Sequence, residues 1–117
     1  MFNAYRENAY FPYFEHYEDA EAVDFFIQVS YEIMTNPRRD PQDRAEELAR
    51  VLVAFVDSPS YDYLTANETL YNAFVRFSNA CDDVNYSEDR NIDDAAALRV
   101  AFLDAYKEID ALLYELI

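Results

Sequence analysis

Not one of the 117 residues is glycine. The two-residue hairpin turns that connect antiparallel strands need positive φ, which glycine supplies at least cost, so a glycine-free chain is poorly suited to a β-rich domain. Helices are the expected elements. Their C-terminal caps then fall to asparagine, and Asn36, Asn79 and Asn85 each stand near an expected helix end. The length supports one hydrophobic core, so residues 1–117 are read as a single acidic helical domain, an all-α bundle of four to five helices.

Proline and apolar spacing locate those helices. The segment through Tyr17, carrying Phe2, Tyr5, Tyr10, Phe11, Tyr13 and Phe14 and interrupted by Pro12, reads as a short helix and an aromatic loop. A helix is predicted from about Asp19 to Thr35, with Val23, Phe26, Ile27, Ser30, Ile33 and Met34 on one face, ending at Asn36-Pro37. Asp40-Pro41 starts the next, whose buried stripe is predicted to be Ala45, Leu48, Ala49, Leu52, Phe55 and Val56. Ser58-Pro59 opens a shorter turn carrying Tyr61, Tyr63 and Leu64. Thr65 or Asn67 can cap a helix buried through Leu70, Ala73, Phe74, Phe77 and Cys81 and ending near Asn79 to Asp83. A polar connector, Asp82 to Asn91, leads to a final helix from about Asp93 to Leu116 with the stripe Leu98, Phe102, Ala105, Ile109, Leu112 and Leu116.

Charge is the feature that bears on function. Asp and Glu number 24 against 9 Lys and Arg, for a net charge of −15. Residues 1–36 sum to −6, residues 37–57 to −1 and residues 58–117 to −8, so the field comes from the two flanking regions. Apolar residues still make up 52% of the chain, which separates it from disordered acidic sequences. A field of this sign repels phosphate, which excludes direct nucleic-acid binding. Salt adaptation would also produce acid enrichment with a single lysine, Lys107. The abundance of tyrosine favours an interface instead, with Tyr10, Tyr13, Tyr17, Tyr61, Tyr63 and Tyr86 as candidates.

Catalytic chemistry finds few parts. His16 is the single histidine, Cys81 the single cysteine, and Cys81 lies on a predicted buried helix face; phosphate-cradling loops need glycine. The chain is therefore read as no enzyme, with no cofactor and no metal. One motif stands against this: Asp83, Asn85, Ser87, Asp89, Asn91 and Asp94 fall at the ligand positions of a calcium loop. The match is partial, since Glu88 stands where the sharp turn requires glycine and Asp94 where glutamate is usual. A solvated acidic linker is the simpler account. The N-terminus lacks a signal-type apolar run and no stretch is long enough for a membrane span, so a cytoplasmic protein without membrane contact is expected.

Carboxylates at i and i+4 on a helix sit about 5 to 6 Å apart, comparable to successive phosphates of a nucleic-acid strand. Asp104 and Glu108 have this spacing, with Asp110 and Glu115 nearby. Asp82, Asp83, Glu88, Asp89, Asp93 and Asp94 extend the patch, and Glu15, Glu18, Glu21 and Asp24 form a second one. Their position near helix N-termini, where the dipole favours them, accounts for only part of both clusters. In length, aromatic-rich acidic helices and missing catalytic groups, the chain resembles the DNA-mimic inhibitors that phages and mobile elements direct against restriction enzymes, CRISPR complexes and other DNA-binding proteins.

That resemblance is of kind and carries over no functional residue. It implies a partner: a basic nucleic-acid-binding protein or nuclease complex, blocked by electrostatic imitation. The alternative is an immunity protein or antitoxin that neutralises a basic nuclease. The two differ in that a mimic spreads its acids, whereas an immunity protein concentrates them with aromatics in one compact patch. A homodimer would lengthen the acidic surface, although no seam for it is diagnostic in the sequence.

Overall fold

The computed structural model describes residues 8–117, and the reading of residues 1–7, with Phe2 and Tyr5, lies outside them. Six helices follow in order: α1 (Phe11–His16), α2 (Ala20–Thr35), α3 (Pro41–Val56), α4 (Ser60–Ala66), α5 (Glu68–Asp89) and α6 (Ala95–Leu116). There is no strand among the described residues. The expected all-α bundle is present, with four long helices and two short ones where four to five helices were anticipated. No helix is long and apolar enough to cross a membrane among the described residues.

The punctuation works as the residue chemistry requires. The Asp40 carboxylate accepts from the Asp43 N–H at 2.8 Å with Pro41 in the first turn, and Asn36 is extended before Pro37. Asn67 both ends α4 and caps α5, accepting from the Leu70 N–H at 3.1 Å. Phe26, Phe55 and Phe74 meet at ring distances of 5.2 to 5.8 Å and join α2, α3 and α5 through one core.

Three expectations are corrected. First, α5 does not end near Asn79 to Asp83; it runs to Asp89, because Val84 continues the buried stripe of Leu70, Phe74, Phe77 and Cys81 at helical spacing. Asn79 and Asn85 are therefore interior; the C-cap is Arg90, and the left-handed residue after it is Asn91, at φ 53°. Its N–H donates to the Glu88 carbonyl at 3.3 Å and that of Ile92 to the Ser87 carbonyl at 2.9 Å, a Schellman closure made without glycine. The calcium register fails with it: Asp83, Asn85, Ser87 and Asp89 are helical, and Asn85 and Ser87 are buried.

Second, α3 is rotated from its predicted face. Arg44, Val51, Ala54 and Phe55 point inward, while Ala45, Ala49, Leu52 and Val56 are exposed. Arg44, 3% exposed, ends on Glu88 of α5 at 2.5 Å, and Arg99 of α6 reaches the same carboxylate at 2.6 and 3.0 Å. On the neighbouring turn, Tyr10 donates to Glu47 at 2.6 Å. Third, the α6 stripe turns at its end: Leu113 is buried, Leu112 is half-buried and Leu116 is exposed.

Burial alone would raise the Glu88 carboxyl, but hydrogen bonds and charge from Arg99 and Arg44 outweigh it and hold it below the ordinary value. Glu47 is also held low, chiefly by the Tyr10 hydroxyl and then by Arg50. Both contributions are complete above the unfolded carboxylate value of about 4.3 and are lost as pH falls through the folded values. Net repulsion acts oppositely, weakening as acids protonate. The thermal midpoint should therefore rise from pH 7 to a maximum near about pH 5 and then fall. Glu88→Gln, which strands buried Arg44, should cost about 3 kcal/mol at neutral pH and flatten the acid limb, as followed by thermal melts across pH.

Candidate acidic interface

The field of this molecule is set by where its few cations are spent. Glu88 takes Arg44 and Arg99, and Glu47 takes Arg50 at 2.8 Å and Arg39 at 3.9 Å. Glu108 takes Arg76, and Asp89 takes Arg90 at 3.6 Å, the guanidinium also lying 3.8 Å above the Tyr86 ring. Among the described residues only Arg38 and Lys107 make no ion pair. Four carboxylates thus absorb nearly all the positive charge, and the other acids are left uncompensated.

The predicted patch divides accordingly. Glu88 does not stand with the surface acids: it is consumed inside the α3–α5–α6 junction. The short Schellman turn sends α6 back along α5 as a helical hairpin, and Asp83, Asp104 and Glu108 line the groove between them. This groove, about 440 Å³, is lined also by Arg76, Asn79, Ala80, Leu98, Ala101 and Ala105. Arg76 neutralises Glu108, whose carboxyl it holds low, so Asp83 and Asp104 carry the local charge.

Asp82, one residue from Asp83, lies around the helix on a different groove, between α3 and α5. Its carboxyl is raised, first by desolvation and then by Asp83. Asp89, Asp93 and Asp94 are exposed around the hairpin turn, and Glu115 is exposed at the far end of α6. Asp110 and Asp24, assigned from sequence to different patches, meet through Gln28, whose amide donates to them at 2.8 and 3.2 Å. Tyr106 donates to the same amide at 2.7 Å and completes this α2–α6 bridge.

Glu21 is exposed on the first turn of α2. Glu15 and Glu18 line a separate cleft of about 520 Å³ between α1, the end of α3 and α4, and here the structure adds Asp19 and Asp57. Its apolar wall includes Phe11, Phe14 and Tyr17. Asp57 follows the last turn of α3 and shares no local pattern with Glu15; the packing of α1 against α3 brings the two to one cleft. Asp19, at φ 54° and ψ −124°, is held by its N–H donating to the buried Ser60 hydroxyl at 3.0 Å.

Of the tyrosines singled out, Tyr13 and Tyr17 stack on Phe25 at 5.1 and 5.2 Å and remain exposed, as does Tyr86. Tyr10, Tyr61 and Tyr63 pack half-buried against the core. Tyr114, 86% exposed, has no such support and was not singled out by its sequence context. Among the described residues no group of three or more His, Cys, Asp or Glu is placed to hold a metal ion.

Compared with protein-family models, curated proteins and solved structures, the chain matches none. Its chemistry must be read from its own residues. Cys81 is buried, and desolvation, reinforced by Asp82, pushes its thiol far above the usual range, the opposite of an activated nucleophile. A thiol reagent should leave Cys81 unmodified in the native protein and label it fully in denaturant, measured by intact mass.

Proposed function

We propose that this chain is an acidic inhibitor that binds a basic nucleic-acid-binding protein and occupies its DNA or RNA site, in the manner of anti-restriction and anti-CRISPR mimics. The observation that carries the reading is the division of charge: six of the eight described cations are paired with four carboxylates, while the remaining carboxylates stand uncompensated on a helical scaffold. The molecule extends 42 × 39 × 19 Å. Its net charge of −15 is spread over this flattened body, with the sign that DNA and RNA phosphates present to a binding protein. A channel lined by Lys and Arg would gain comparable neutralisation from it. On this reading the chain acts by binding and catalyses nothing, in the cytoplasm of the cell that holds its target.

The α1–α4 cleft favours a second reading. Glu15, Glu18, Asp19 and Asp57 beside Phe11, Phe14 and Tyr17 form the compact acid-and-aromatic patch expected of an immunity protein or antitoxin, suited to an inserted Arg or Lys side chain.

Affinity capture from bacterial lysate at low salt, followed by challenge with duplex DNA, tests both. Under the mimic reading a basic nucleic-acid-binding protein is retained and DNA displaces it competitively. Asp83→Ala or Asp104→Ala alone should weaken binding less than about tenfold, while combined reversal to lysine should cost more than about 100-fold. Loss of binding on Asp57→Ala or Tyr17→Ala alone selects the compact interface instead. Retention of DNA and this chain together on the captured protein defeats imitation.

A further inference from the structure

The rotation of α3 leaves an apolar stripe on the surface. Gln42, Ala45, Ala49, Leu52 and Val56 follow one another at intervals of three and four residues, all exposed, with Val53 beside them at 49% exposure. This is the spacing of a helix-pairing seam. It borders a narrow groove of about 160 Å³ between α3 and α5, lined also by Leu48, Phe77 and Cys81. Ser30, 1% exposed, lines that groove with its hydroxyl unpaired, and the Ser78 hydroxyl there is unpaired as well.

We infer that this α3 face is the interface of a homodimer, with the α3 helices of two copies packed antiparallel about a two-fold axis at Ala49. Three observations select a second copy as the occupant. The seam is self-complementary: inverted about Ala49, it sets the small Ala45 of one chain opposite the larger Leu52 and Val53 of the other, with Gln42 opposite Val56 at the ends of the seam. Ala49 meets Ala49, where two backbones can approach closely. The inversion also brings Glu46, which has no ion pair among the described residues, alongside Arg50 of the other copy, an exposed guanidinium that within its own chain bonds Glu47.

The third observation is electrostatic. Two bodies of charge −15 repel over most of their surfaces, but exposed charges beyond about 8 to 10 Å are largely screened at ordinary salt, so the charge at the contact decides. Residues 37–57 sum to −1 against −6 and −8 for the flanking segments, so the stripe coincides with the nearly neutral part of the chain. Asp82 is the single ionisable carboxylate lining the groove beside it. A strongly basic partner would be drawn to the acidic faces instead. The dimer stands independently of the inhibitory reading and leaves the α5–α6 groove and the α1–α4 cleft open.

Sedimentation equilibrium of the full chain up to about 1 mM tests the interface. The expected result is a species of twice 13.7 kDa that is no weaker at about 1 M salt than at about 0.1 M, because screening removes repulsion without touching apolar contact. Ala49→Glu should raise the dissociation constant about 100-fold with helical content retained, since it sets like charges face to face on the axis. Leu103→Glu, on the exposed face of α6, should leave it unchanged. If Ala49→Glu disturbs folding, Ala49→Cys decides: it should oxidise to a disulfide-linked dimer, whereas Leu103→Cys should not. A chain that stays monomeric throughout, or a dimer lost on Leu103→Glu and kept on Ala49→Glu, overturns the inference.

Discussion

The contact on which this fold turns is the Glu88 carboxylate held between Arg44 and Arg99. It joins α3, α5 and α6 at one point, and Arg44 is almost wholly buried there. An ion pair in such a place contributes little net stability relative to an apolar replacement, because desolvating its members offsets most of their attraction. Its effect is on specificity. A guanidinium cannot enter the interior unpaired, so only the rotation of α3 that sets Arg44 against Glu88 is acceptable. Val51, Ala54 and Phe55 follow inward, and Ala45, Ala49, Leu52 and Val56 are turned out.

The lack of glycine bears on the joints. Among the described residues two take positive φ, Asp19 and Asn91, each where one helix begins or another has just ended. Asn91 occupies the left-handed region that asparagine tolerates, and its Schellman bonds repay the conformation. Asp19 departs further from the allowed regions, a strain of about 1 to 3 kcal/mol, and is fixed by Ser60 from a helix distant in sequence. Both joints bear on the acidic surfaces: Asn91 folds α6 back onto α5, and Asp19 itself lines the aromatic cleft.

Electrostatics then separates the molecule into regions. Six of the eight described cations pair with Glu47, Glu88, Glu108 and Asp89, Arg44 in the interior and the rest at the surface, which leaves the other carboxylates without counter-charges. Negative charge concentrates along the α5–α6 hairpin and around α1 and is lowest over residues 37–57, where four arginines nearly balance five acids. A chain with this division has strongly acidic faces open to basic partners and one face on which two copies can meet with little repulsion.

The sequence by itself determined the helical class, the boundaries written in Asn36-Pro37, Asp40-Pro41 and Asn67, and the buried faces of α2 and of the first half of α5. Those depend on local backbone geometry and on apolar spacing that a linear reading captures. It also determined the excess of negative charge. Tertiary structure alone decided the rotation of α3, because the partner that makes Arg44 buriable lies 44 residues away. It decided the length of α5, where a polar run that reads as a linker stays helical because Glu88 and Val84 are engaged from neighbouring helices. It decided, finally, which acids share a surface: Asp82 and Asp83 part onto different grooves, while Asp24 meets Asp110 and Glu15 meets Asp57. Pairing over such distances depends on how helices pack, and helical periodicity carries no record of it.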